Sequence, residues 1–263
     1  MRSGWEWFEG MGEPPVVVLD FDGTLSEIVE RPGMARPLEG IPEVLGKLSG
    51  RVRVGVISGR ALEDLEERLG VGSLYLAGSH GLEMKRPDGS RRHVEGLEEA
   101  RGVLQEAAVD LRRRADSVEG VELEEKSLGL AVHYRRAPQA KEEVEAWVGE
   151  WADGALKISE GKRVRELRPA LDWDKGDALG WILEEIGVSE GKDVIYIGDD
   201  RTDEDAFEAL RALPFRGAGM LVAASPRPSA AQFRLAGPRE VRSFLQELAL
   251  RVYPSRPMEA GTH

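Results

Sequence analysis

Apolar runs of strand length alternate along this chain with stretches whose apolar positions recur every three or four residues. Val16-Val17-Val18-Leu19 is unbroken and closes on Asp20. Such a run suits a strand buried on both faces of a parallel sheet. Pro42 to Leu48 predicts a short helix and Val52 to Ile57 a second strand. Ala61, Leu62, Leu65 and Leu69 then fall on one helical stripe, with Gly70 where a helix ends. Leu74 to Leu76 gives a third strand. This β-α-β-α-β rhythm predicts a doubly wound α/β sheet of Rossmann-like form.

The rhythm changes after residue 84. Leu97 to Ala115 predicts a helix, followed by strands over Val121 to Glu125 and Leu128 to Tyr134. A second helix opens near Pro138 and turns Val144, Trp147, Val148 and Trp151 inward. Strands over Leu156 to Ser159 and Val164 to Leu167 complete an α-β-β-α-β-β unit, which predicts an antiparallel sheet with helices on one face. After Arg168-Pro169 the first rhythm resumes. It runs through a helix over Ala178 to Ile186, a strand over Val194 to Ile197, a helix over Glu204 to Leu213, a strand over Met220 to Ala224 and a closing helix carrying Val241 to Val252. The expected organisation is a core from 14–84 and 169–253, interrupted by an inserted α+β domain at 85–168. Residues from Pro254 onward predict a loose polar tail.

Two acidic segments follow apolar strands directly. Asp20 and Asp22 lie two positions apart, so an extended backbone carries both on one face, and Gly23 then permits a turn. Open α/β sheets bind ligands beyond the carboxyl ends of their strands. Paired carboxylates there repel unless a cation lies between them or one takes a proton, and hard oxygen ligands suit Mg²⁺. The second segment is Gly198-Asp199-Asp200-Arg201-Thr202-Asp203-Glu204-Asp205. Part of it, Asp203 or Thr202, is expected to cap a helix, whereas Asp199 comes too early for capping alone. Ser58-Gly59-Arg60 follows the second strand and offers a hydroxyl and N–H groups to a phosphate at a helix start. Lys175 stands just before another helix.

Composition narrows the class. The 263 residues carry 36 Lys+Arg against 48 Asp+Glu, a net charge of −12, which argues against a nucleic-acid or anionic-membrane binder. Cysteine is absent, so there is no thiolate metal site or cysteine nucleophile. No apolar run approaches membrane-spanning length, and the first fifteen residues do not read as a secretory leader. A cytoplasmic protein is expected.

Taken in order, Asp20-Phe21-Asp22-Gly23-Thr24, Ser58, Lys175 and Gly198-Asp199-Asp200 with Asp203 resemble the haloacid dehalogenase (HAD) superfamily of phosphoryl-transfer enzymes. The insertion resembles that superfamily's type-2 cap. A finer resemblance, to the trehalose-6-phosphate phosphatase family of trehalose biosynthesis, is carried by several segments. They are Ile57-Ser58-Gly59-Arg60, Gly78-Ser79-His80-Gly81, Val132-His133-Tyr134-Arg135, Gly161-Lys162-Arg163-Val164-Arg165-Glu166-Leu167-Arg168-Pro169, Trp173-Asp174-Lys175-Gly176 and Tyr196 to Phe207.

The resemblance implies a phosphatase acting through an aspartyl phosphate. Asp20 would be the nucleophile and Asp22 the general acid and base, with Ser58 and Lys175 on the transferring phosphoryl oxygens. Mg²⁺ would be held by Asp20, Asp199 and the backbone carbonyl of Asp22. Asp200 and Asp203 would lie either on the ion or just behind its ligands. Gly59 and Arg60 join Ser58 as substrate-binding candidates. On the cap, family analogy favours Lys162 and Glu166 for the sugar, with His133 and Arg168 as further candidates and Glu125 and Lys126 nearby. A direct role for His80 is not expected. The partner would be a small-molecule sugar phosphate, with a trehalose-phosphate synthase acting upstream and oligomeric state left open. Alternatives are phosphatases for mannosyl-3-phosphoglycerate or sucrose 6-phosphate, a mutase, or a non-catalytic sensor. A sensor would be expected to lose Asp20, Asp22 or Asp199, and all three are present.

Overall fold

The computed structural model describes residues 1–252, and the tail expected from Pro254 onward lies outside them. The chain divides into two compact units, one comprising Met1–Arg92 with the residues from Trp173 onward, the other His93–Asp172.

The larger unit is built on a nine-stranded sheet. Its strands are β1 (Arg2–Ser3), β2 (Val16–Asp20), β3 (Val54–Ile57), β4 (Tyr75–Gly78), β5 (Glu83–Lys85), β6 (Arg91–His93), β11 (Asp193–Gly198), β12 (Arg216–Val222) and β13 (Phe233–Leu235), with β7 to β10 belonging to the smaller unit. The spatial order is β1-β13-β12-β11-β2-β3-β4-β5-β6. From β1 to β4 all neighbours are parallel, and β5 returns antiparallel to β4. Every residue of β2, β3, β4 and β11 is buried, as continuous apolar runs require when helices cover both faces. One face packs on α1 (Ile41–Ser49), α2 (Leu62–Leu69) and α7 (Pro238–Val252), which share a core with Val17, Leu19, Val54 and Ile197. On the other face α5 (Lys175–Ile186) sets Ile182 against Gly55, and α6 (Asp203–Ala212) sets Phe207 edge-on to Tyr196, 5.5 Å between ring centres. The chain runs outward from β2 through β3 to β4, then returns to β11 on β2's other side and runs outward to β12. The strand order therefore reverses between β2 and β11, the point where doubly wound sheets place their ligands.

Two features were missed in the sequence, and the packing of the amino-terminal Trp5, Trp7 and Phe8 was left open there. Residues 83–93 form β5 and β6 on the core sheet, so the smaller unit begins at His93 rather than 85 and ends at Asp172 rather than 168. Strands of three residues with all-exposed side chains, like Arg91–His93, carry no hydrophobic alternation to read. The amino-terminal aromatics pack on the core: Trp7 and Phe8 are buried, with the Phe8 ring 4.7 Å from that of Phe244. Strand β13 was also overlooked.

The smaller unit has the expected α-β-β-α-β-β order: α3 (Leu97–Asp116), β7 (Glu122–Lys126), β8 (Gly129–His133), α4 (Lys141–Gly149), β9 (Leu156–Gly161) and β10 (Val164–Pro169). Its sheet is antiparallel in the order β7-β8-β10-β9. Leu130, Val132 and Leu167 turn to one face and form a core with Ala100, Leu104 and Leu111 of α3 and Val144 and Trp147 of α4. The alternate positions lie on the opposite face, so Glu124, Lys126, His133, Glu166 and Arg168 share it. Among the described residues, no helix is long and apolar enough to cross a membrane.

Candidate active site

Asp20 ends β2 and Asp199 follows β11, so the strand reversal brings their carboxylates together. One carboxylate oxygen each from Asp20, Asp199 and Asp203 lies within 4.8 Å of the others. Lys175, first residue of α5 and buried, donates to Asp20 Oδ1 and Asp203 Oδ1 at 2.7 Å each. Its helix start is fixed by Asp174, whose side chain accepts from the N–H groups of Gly176 and Asp177.

Asp203 has both oxygens engaged. Oδ1 accepts from Lys175 and from the Tyr196 hydroxyl (2.7 Å), and Oδ2 from the backbone N–H groups of Asp199 and Asp200 (2.9 Å each). This carboxylate braces the loop that presents Asp199. Asp200 caps α6: its Oδ1 accepts from Thr202 N and Oγ1 at 2.8 Å and from Asp203 N at 3.2 Å, and lies 4.0 Å from Lys175 Nζ. The capping expected of Asp203 or Thr202 is thus done by Asp200, and the Thr202 side chain makes no cap bond. Asp200, expected on the ion or just behind its ligands, has this oxygen committed to the helix end by three hydrogen bonds.

Asp22 also departs from the cluster. Its two oxygens accept from Arg60 Nη2 and Nε at 2.7 Å, and Arg60 donates from Nη1 to Asp64 at 2.9 Å. Burial opposes the Arg60 charge, but these carboxylates outweigh it and raise its pKa. Arg60, expected on substrate, is here the partner of Asp22. Ser58 is fully buried after β3, and its Oγ accepts from Arg60 N at 3.2 Å. His80 supports this turn. Its N–H donates to Ser58 O, and its ring lies where a Cβ at Gly59 would stand.

Two glycines make the close approaches possible. Gly23 has φ +76°, and a side chain there would strike the Asp199 carboxylate. A Cβ at Gly198 would strike Asp203 in the same way.

The cluster holds surplus negative charge. Burial raises the Asp20 pKa well above the usual carboxylate range, Lys175 opposes this, and Asp203 and Asp199 add to it. Burial, followed by repulsion from Asp203 and Asp200, pushes Asp199 up to about 7. For Lys175 burial disfavours the charge, but Asp20 and Asp203 outweigh it and raise its pKa. The Tyr196 phenol is pushed up first by burial and then by Asp203, so it stays a donor. One ammonium does not neutralise three carboxylates, and a set made of oxygens alone fits a hard divalent cation. Asp20 and Asp199 are the residues that would hold it, with Asp203 already saturated behind them.

A pH dependence follows. The folded pKa of Asp199 lies above the ordinary carboxylate range, so its contribution to metal-free stability falls as pH rises from that range to about 7. A divalent cation must displace the Asp199 proton. Its affinity should therefore fall about tenfold between pH 8 and pH 6, with nearly one proton released per ion at pH 6 and little release at pH 8. Calorimetric titration with Mg²⁺ at the two pH values checks this, and equal affinities would contradict the Asp199 assignment.

On the smaller unit's open sheet face, Lys126 Nζ donates to Glu166 at 2.5 Å and the His133 ring lies 2.8 Å from Glu124. Arg168 is exposed on that face, and Lys162 is exposed in the turn between β9 and β10. Sequence reasoning missed Tyr196 and Arg227. Tyr196 was visible as the one hydroxyl inside the apolar β11. Arg227 donates to the carbonyls of Asp199 and Asp200 from a loop 28 and 27 residues further along, with no local signal.

Comparison with known proteins gives the family and the fold. A trehalose-phosphate phosphatase of Mycolicibacterium paratuberculosis is 43% identical over 251 residues, which are 90% of this chain and 63% of the relative. The chain thus spans under two thirds of that relative's length. The solved Aspergillus fumigatus trehalose-6-phosphate phosphatase is 28% identical, with a TM-score of 0.61 over 89% of this chain and 92% of that one. A HAD-like hydrolase from Bacteroides thetaiotaomicron, at 17% identity and a TM-score of 0.62, shares the fold over 90% of this chain and all of its own. The trehalose-phosphatase family model matches residues 18–239, and the chain belongs to that family.

Proposed function

We propose that the protein is a Mg²⁺-dependent phosphatase that hydrolyses trehalose 6-phosphate to trehalose and phosphate. The observation that carries the reading is the buried Asp20 at the strand reversal, held by Lys175 at 2.7 Å beside a surplus of carboxylates. When bound, Mg²⁺ supplies positive charge to the phosphoryl oxygens and keeps the neighbouring carboxylates ionised.

In the first step an Asp20 oxygen attacks phosphorus and the bond from phosphorus to the sugar oxygen breaks. Asp22 gives that oxygen its proton, so trehalose leaves neutral. In the second step water attacks the phosphorus of the aspartyl phosphate, Asp22 takes the water's proton, and Asp20 is released. Arg60 orients Asp22 through its two hydrogen bonds, and each Asp22 oxygen keeps a second lone pair for the proton. Ser58 and the Lys175 ammonium stabilise the transferring oxygens, whose charge grows in the transition state. Asp203 and Tyr196 hold the loop that bears Asp199.

Sugar recognition belongs in this reading to the open sheet face of the smaller unit, through Glu166, Lys162, His133 and Arg168. Glu166 and His133 are paired there with Lys126 and Glu124, and charged side chains suit a molecule rich in hydroxyls, because losing one partner in the complex leaves a buried polar group unpaired. Glu166→Gln and Lys162→Ala should each lower kcat/KM for trehalose 6-phosphate about tenfold to a hundredfold while sparing a small aryl phosphate. Equal losses on both substrates would remove the sugar assignment.

Phosphate release tests the whole proposal. Trehalose 6-phosphate, sucrose 6-phosphate, mannosyl-3-phosphoglycerate and glucose 6-phosphate are compared with Mg²⁺ and with EDTA. Preference for trehalose 6-phosphate, lost on chelation, is expected. Preference for another ester would keep the catalytic roles and overturn the substrate, and no release from any would overturn the phosphatase reading.

A further inference from the structure

The loop between β12 and β13 reaches the metal-side loop through one side chain. Arg227 Nη2 donates to Asp199 O at 2.9 Å and to Asp200 O at 3.2 Å, and its Nη1 reaches Glu204 Oε1 at 3.3 Å. Glu204 in turn accepts, through Oε2, from Ser229 Oγ (3.0 Å) and Ala230 N (2.8 Å). Arg227 and Glu204 thus tie residues 227–230 to the start of α6. The Asp199-Asp200 segment is gripped on both polar edges, its N–H groups by Asp203 and its carbonyls by Arg227. The peptide orientation so fixed determines where the Asp199 carboxylate stands.

We propose that Arg227 is a positioning residue for the divalent-cation site, acting through the carbonyls of Asp199 and Asp200 and not by touching the ion or the substrate. The inference rests on the metal reading given above. A guanidinium suits the task because its fixed fork meets two carbonyls and a carboxylate at once, which a lysine ammonium on a flexible stem does not reproduce. Without it the two carbonyls lose their shared donor, and the segment remains held on its N–H side by Asp203. Asp199, already repelled by Asp203 and Asp200, is then less restrained against swinging away from Asp20.

Residues placed behind metal ligands in this manner typically govern affinity by about 10–100-fold. Mn²⁺ binding, followed by the loss of the free-ion EPR signal, is measured on the wild-type chain, Arg227→Ala, Arg227→Lys and Arg234→Ala. Arg234 anchors the start of the same loop through Ala223 O and Ala224 O without touching residues 199 or 200. It therefore reports loop loosening alone. Expected are roughly 10–100-fold weaker Mn²⁺ binding in Arg227→Ala, an intermediate loss in Arg227→Lys, and affinity within about twofold of wild type in Arg234→Ala. The metal-free melting temperature of Arg227→Lys should match wild type, separating positioning from a folding defect. Wild-type affinity in both Arg227 variants, or an equal loss in Arg234→Ala, would overturn the positioning role and leave the metal site standing. A wild-type chain that binds no Mn²⁺ would overturn the metal reading and this inference together.

Discussion

Asp20→Asn is expected to lower kcat for trehalose 6-phosphate by about 10⁴-fold or more, the scale seen when a covalent nucleophile is removed. The amide keeps the shape of the side chain, and its carbonyl oxygen can still accept from Lys175. It lacks the anionic oxygen that attacks phosphorus and is a poorer ligand for a cation. The fold should survive. Burial, Asp203 and Asp199 all work against ionisation of Asp20, so the native state carries a penalty for that charge which the amide removes. Metal-free melting should therefore be unchanged or slightly higher, and Mg²⁺ should raise it less than in the wild type. Steady-state kinetics together with thermal melting checks both halves. Retention of a tenth of the activity would exclude Asp20 as nucleophile.

Lys175→Met should damage both stability and turnover. Methionine matches the length of the lysine stem, so packing is nearly conserved and the charge is what is lost. Asp20 and Asp203 then face each other across a buried site without their shared cation. Breaking a buried pair from one side typically costs about 3–5 kcal/mol. For a chain of this length that corresponds to a fall in melting temperature of roughly 6–20 °C. The fall should be smaller at pH 5 than at pH 8, because protonation of Asp20 or Asp199 relieves the repulsion. Both groups already have raised pKa values, and removal of Lys175 raises them further. Turnover should drop by about 10³-fold, the loss expected when a charge stabilising the transition state is removed. A variant with wild-type melting and kcat within tenfold would show that Lys175 only fills space.

What could be read in the sequence follows a physical division. Strands β2 and β11 announced themselves as unbroken apolar runs, and a carboxylate at the end of each marked the site before any coordinates. The strands β8 and β10 were also foreseen, while which of their faces packs, that of Leu130 and Val132, came from the structure. Side-chain direction was the harder part. Asp200 and Asp203 are both acidic and three residues apart, and nothing in their order tells that the first caps α6 while the second braces the loop under Lys175 and Tyr196. Asp22 looked like a partner of Asp20, yet Arg60, 38 residues away, claims both its oxygens. Arg227 likewise lies 28 and 27 residues along from the two carbonyls it grips. Short edge strands such as Arg91–His93 escaped notice because they bury no side chain. Their addition to the core sheet moved the start of the smaller unit to His93.

The central claim is that phosphate passes through Asp20. The direct measurement is rapid acid quench during turnover of trehalose 6-phosphate labelled with ³²P, followed by borohydride reduction and peptide mapping. Reduction expels the phosphate and leaves homoserine, so the account predicts ³²P on the quenched protein before reduction, homoserine at position 20 after it, and loss of the label to inorganic phosphate in a chase. Full turnover with no label on Asp20, or with label on another residue, would contradict it.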